Sequence, residues 1–140
     1  MDNNNKPSIL MHAMIVEDDP IAIMLISNLL KENKFRVFIT DSYEEAIQLY
    51  ITFKPSLIIL DQNLIDFKGL DLACSLRKIY NSHVTRIVLC TNDKLDKLSL
   101  DIKFKYLDNY VLKSDIDKLR SIIDHYGNEI ATYQNNNCVI

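Results

Sequence analysis

Glu17, Asp18 and Asp19 stand side by side, Asp61 closes an apolar run, Thr91 closes another, and Lys113 closes a third. Were these side chains to meet, the carboxylates would repel one another and require a cation. Asp and Glu without His or Cys favour a hard ion held through oxygen. Few protein ligands with retained water suit Mg²⁺. Beside that ion Asp61 can stay ionised and act as a nucleophile, a known route to an aspartyl phosphate. The Lys113 ammonium would neutralise charge on the phosphoryl oxygens, and the Thr91 hydroxyl could donate to one of them. Taken singly, each residue has a plainer role. Asp61 could end a turn, Thr91 could cap a helix and Lys113 could be a surface lysine. The run from Glu17 to Pro20 equally suits a helix N-terminus, with acids against the dipole and proline in the first turn. The chemistry depends on whether the fold brings them together.

The elements that would do so can be read from periodicity. Short apolar or β-branched runs at 9–16, 36–39, 57–60, 86–90 and 109–112 predict strands, three of them nearly continuous, as in parallel strands covered on both faces. Between them lie amphipathic stretches. The stretch 20–33 opens with Pro20 and carries Ile21, Met24, Leu25 and Leu29 at mostly helical spacing. At 42–53, Ser42 and Glu45 form a capping-box pair. The stretch 70–80 follows Gly69, 94–103 follows a polar break, and 114–131 opens with Ser114, Asp115 and Asp117. Strict alternation predicts an α/β fold, a doubly wound parallel sheet with right-handed crossovers. Ligands of such sheets sit beyond the carboxyl ends of the strands. The acids, Asp61, Thr91 and Lys113 all fall there.

The 140 residues suit one domain, expected over 9–131, with polar and flexible tails at 1–8 and 132–140. With 48% hydrophobic and 25% charged residues, the chain reads as globular. A net charge of -3 argues against direct nucleic-acid binding, and the basic residues of 94–105 are interleaved with Asp93, Asp96 and Asp101. Cys74, Cys90 and Cys138 lack metal or redox-pair spacing; Cys74 and Cys90 read as reduced core thiols. The longest apolar run, 21–26, is too short for a membrane span, and the polar start is no signal peptide. The expected compartment is the cytoplasm.

Four stretches together resemble the receiver domain of bacterial two-component response regulators. They are MIVEDDP at 14–20, PSLIILDQNLIDFKGL at 55–70, IVLCT at 87–91 and YVLK at 110–113. The spacings also fit, with thirty residues from Asp61 to Thr91 and twenty-two from Thr91 to Lys113. The resemblance implies a (βα)5 flavodoxin-like three-layer sandwich with strand order 2-1-3-4-5. It implies Asp61 as phosphoacceptor, Asp18 and Asp61 as direct Mg²⁺ ligands, Glu17 as a ligand through water, and Asn63 as a ligand through its backbone carbonyl. It further implies Lys113 as the phosphate-binding lysine, Thr91 as the switch hydroxyl and Tyr110 as the switch aromatic. Asn63 and Asp93 match positions flanking the path of the hydrolytic water, where a polar pair would shorten the phosphoryl lifetime.

The implied function is that of a phosphoacceptor and not a conventional enzyme, with slow autodephosphorylation. A histidine kinase or phosphotransfer protein would donate, and an unknown downstream protein would read the 94–131 face. Dimerisation through that face stays open. The expectation is a stand-alone receiver, since 132–140 is too short for an output domain. Four positions depart from the family pattern: Ser114 and Ile65 replace prolines, Asn92 is larger than usual, and Tyr106 stands where glycine is common. Ser114, Asn92 and Ile65 are the best support for the alternative, a pseudo-receiver that docks a partner without phosphate. A flavin or nucleotide enzyme fits poorly, because only Gly69 and Gly127 are present and no glycine-rich phosphate loop can form.

Overall fold

The computed structural model of the protein describes residues 10–79, 84–92, 94 and 105–136. The central strand β1 (Met11–Val16) lies between β2 (Phe35–Thr40) and β3 (Leu57–Leu60), followed by β4 (Arg86–Thr91) and β5 (Asn109–Leu112). All four pairings are parallel, in the order β2-β1-β3-β4-β5. The registers place Val16 beside both Thr40 and Leu60, Leu60 beside Leu89, and Thr91 beside Leu112. The carboxyl ends therefore finish nearly level.

Four helices lie among the described residues: α1 (Pro20–Glu32), α2 (Tyr43–Phe53), α3 (Gly69–Ile79) and α4 (Ile116–Asn136). Alternate side chains of each strand point to opposite faces. Ala13, Ile15, Leu57, Ile59, Val88 and Cys90 form one core with α1 and α4. Met14, Val16, Ile58, Leu60, Ile87 and Leu89 form the other with α2 and α3. Each buried Leu or Ile is worth about 1.5–3 kcal/mol, so burial on both faces accounts for the unbroken apolar runs. No helix among the described residues is long and apolar enough to cross a membrane.

The caps explain where the helices begin. Asp19 accepts from the Ile21 N–H at 3.1 Å with Pro20 in the first turn, and Ser42 accepts from the Glu45 N–H at 3.2 Å. Asp115 caps α4, accepting from the Lys118 N–H at 3.1 Å. Two lysines after helices, Lys34 (φ 67°) and Lys54 (φ 48°), take the left-handed conformation that glycine usually serves.

Three expectations are corrected. The face of α1 is turned from the one predicted except at Leu29: Leu29 is buried with Ala22, Ile26 and Leu30, while Ile21, Met24 and Leu25 are exposed. The run 21–26 is apolar all round the helix, so periodicity cannot set its phase. α4 runs to Asn136, five residues into the stretch expected to be a flexible tail. Helix propensity differs little among polar residues, and a buried Ile130 and half-buried Gln134 keep the packing period. The second strand begins at Phe35, because its buried side chain joins the core under α1. The segment 95–103, expected to be helical, lies outside the described residues, as does Cys138.

At the amino ends of β4 and β5, polar groups take over. Asp108 accepts from Arg77 at 2.6 Å, Arg86 at 3.2 Å and the Ile87 N–H at 2.8 Å. Arg86 also reaches Glu129 on α4 at 2.6 Å, so the network joins α3, β4, β5 and α4.

Candidate functional site

The ladder continues just beyond the strands and sets the site's frame. The Glu17 N–H donates to the Thr40 carbonyl at 3.0 Å, the Asp61 N–H to Val16 at 3.0 Å and the Lys113 N–H to Thr91 at 2.9 Å. Each residue that ends a strand is thus held by its neighbour strand, and Glu17, Asp61, Thr91 and Lys113 converge on one edge.

Lys113 Nζ lies 2.8 Å from Glu17 Oε2 and 3.3 Å from Asp61 Oδ2. Glu17 and Asp61 are only 2% and 6% exposed, whereas Asp18 is exposed. Carboxylate oxygens of Glu17, Asp18 and Asp61 come within 4.8 Å of one another. Asp19, the neighbouring acid, is committed to capping α1. Burial pushes the Glu17 carboxyl above its ordinary value, against the hydrogen bond from Lys113. Burial also opposes the Lys113 ammonium, but the Glu17 and Asp61 carboxylates outweigh it and hold the lysine above its usual range. Two buried carboxylates thus share one ammonium, with the exposed Asp18 carboxylate beside them. Such an all-oxygen donor set with surplus negative charge fits Mg²⁺.

Thr91 is 1% exposed, and its hydroxyl has no hydrogen-bond partner among the described residues. Tyr110 sits half-buried on β5 against the core shared with α2 and α3. Asn63 is exposed and accepts from Lys68 Nζ at 2.8 Å, while Asp93 lies outside the described residues. Ser114 and Asn92 are exposed, Ile65 is 86% exposed, and no cis peptide occurs among the described residues. Tyr106 gives its carbonyl to Arg77 at 3.0 Å. Beside the site, burial pushes the Cys90 thiol up to about 12; Cys74 is also free.

One residue of the site has no distinguishing mark in the sequence. Gln62 donates its N–H to Asp61 Oδ1 at 2.8 Å and accepts from the Gly69 N–H through its carbonyl at 2.9 Å. Its side chain accepts from the Leu70 N–H, also at 2.9 Å. Gln62 therefore closes the loop from Asp61 to α3 and fixes one carboxylate oxygen. Gly69 permits that closure: a Cβ there would lie 2.1 Å from the Asp61 carbonyl oxygen.

The chain is similar to known proteins along most of its length. Residues 13–124 match the response regulator receiver domain family. The cell cycle transcriptional regulator CtrA of Caulobacter vibrioides is 37% identical over 67 residues, 48% of this chain and 29% of that protein. The chain spans less than half the length of the curated relatives it matches. A CheY-like response regulator receiver domain from Methylobacillus flagellatus superimposes with a TM-score of 0.71 at 27% identity, covering 84% of this chain and 99% of its own. A signal receiver domain from Vibrio parahaemolyticus reaches 0.78 over 94% of this chain and 100% of its own; at 21% identity it speaks for the fold alone. Sequence profile and strand order agree, and the chain belongs to the response regulator receiver domain family.

Proposed function

We propose that the chain accepts a phosphoryl group on Asp61 from a histidine kinase or phosphotransfer protein, and that this switches its binding of a downstream protein. One observation carries the reading: Lys113 Nζ stands 3.3 Å from Asp61, inside a cluster of three carboxylates. Receiver domains are phosphoacceptor signalling domains that bind Mg²⁺ at an acidic pocket and interact with histidine kinases or phosphotransfer proteins. In this chain Asp18, Asp61 and the Asn63 carbonyl would hold the ion directly, and Glu17 through water. When bound, Mg²⁺ offsets negative charge on the phosphoryl oxygens.

The chain's own residues do the rest. An Asp61 carboxylate oxygen attacks phosphorus, the P–N bond to the donor histidine breaks, and the departing imidazole takes up a proton. Lys113 offsets charge on one phosphoryl oxygen, and the Thr91 hydroxyl donates to another. In hydrolysis, water adds to phosphorus and the P–O bond to Asp61 breaks, returning carboxylate and phosphate. Asn63 and Asp93 are assigned to that water's path. Tyr110 and Thr91 are the moving parts of the switch, which biases a two-state equilibrium. Exposed Ile21 and Leu25, which line a cavity with Lys113, suit a protein donor better than a small molecule. The cytoplasm is the compartment that suits such a donor.

Acetyl phosphate with Mg²⁺, followed by intact mass measurement, tests the reading. Wild type is expected to gain one phosphoryl group, while Asp61→Asn and EDTA-treated wild type gain none. An unmodified wild type would favour the phosphate-independent docking module instead.

A further inference from the structure

At the end of the sheet opposite Asp61 lies a cleft of about 320 Å³ that phosphoryl chemistry does not use. It opens between the last turns of α2 and α4 and the start of β4, with Tyr50, Val84, Ile130 and Tyr133 as its apolar wall. Its size falls within the rough 300–1,000 Å³ span of small-molecule sites, which are also mainly apolar.

The polar groups of the cleft narrow its chemistry. Arg86 is paired with Glu129 at 2.6 Å and with Asp108 at 3.2 Å. That pairing commits both of those charges to each other and to Asp108, and Lys54, which also lines the cleft, is exposed to solvent. Tyr50 and Thr85 hydrogen-bond each other at 3.0 Å. Gln134 differs: its Oε1 is buried and accepts no hydrogen bond among the described residues. A buried acceptor left without a donor is unfavourable, and an occupant that supplies one removes the deficit. We propose that the cleft binds a small, uncharged molecule, apolar over most of its surface, that presents one N–H or O–H donor to Gln134 Oε1.

Indole serves as the probe, followed through backbone amide NMR shifts of the full chain, with N-methylindole as the match lacking the donor. Saturable shifts confined to the amides around Ser56, Thr85, Ile130 and Gln134 are expected. N-methylindole should bind about fivefold more weakly. Gln134→Leu should abolish that difference, and Asp61→Asn should bind indole as wild type does, so a failed phosphorylation reading leaves this outcome untouched. Absent or chain-wide shifts, or equal affinity of wild type for both probes, would overturn the assignment. So would binding seen only after removal of residues 137–140, or only as a change in monomer–dimer balance. Those results would give the cleft to the chain's own end or to a second copy.

Discussion

Thr91 holds a hydroxyl that folding alone does not favour, since it is buried and lacks a partner. An unsatisfied buried hydroxyl costs about 1–3 kcal/mol, and an apolar group of the same shape relieves it. Thr91→Val should therefore raise the stability of the unphosphorylated protein by about 1 kcal/mol in urea denaturation, and under the proposed function it should remove a donor to the phosphoryl group and weaken signalling. A destabilised Thr91→Val variant would mean that the hydroxyl is satisfied in solution. The sequence marked Thr91, Lys113 and the acids as candidates by their place after apolar runs. It carried no mark on Gln62, whose value lies in three contacts that exist only once the loop has closed.

The helix ends set local cost against packing. With two glycines in the chain, exposed Lys34 takes a left-handed conformation after α1 that costs an L residue about 1–2 kcal/mol. Lys34→Gly should stabilise by about 0.5–1 kcal/mol after the greater freedom of unfolded glycine is counted, a gain measurable as a higher Tm. Gly69 is the opposite case, because a Cβ there meets the Asp61 carbonyl at 2.1 Å and Leu60 Cδ1 at 2.6 Å. Gly69→Ala should cost about 2–3 kcal/mol and also slow the proposed phosphorylation of Asp61, since α3 can make room only by moving the loop that carries Asp61. A Gly69→Ala protein with wild-type stability and phosphorylation rate would contradict that account. Element types were legible because strands and helices differ in apolar period. The phase of α1 was not, since six consecutive apolar residues fit any face.

Across the whole molecule, Asp108 ties the amino ends of β4 and β5 to α3 and, through Arg86, to α4. Its side chain is about one-fifth exposed, so solvent screens part of the interaction. Asp108→Ala should still cost about 2 kcal/mol, because two guanidinium groups and the Ile87 N–H lose an acceptor. Urea denaturation checks it, and a change below about 0.5 kcal/mol would mark the network as incidental. The sequence by itself determined the parallel doubly wound sheet, because apolar runs alternating with amphipathic ones can bury both faces in few other ways. It also determined that the acids, Asp61, Thr91 and Lys113 fall at one edge, since every parallel strand ends on the same side. Only the tertiary structure decided how they meet: Lys113 between Glu17 and Asp61, Asp19 withdrawn to a cap, and the Thr91 hydroxyl left open. Those outcomes depend on ångström-scale competition among contacts between residues far apart in the chain, which periodicity does not encode.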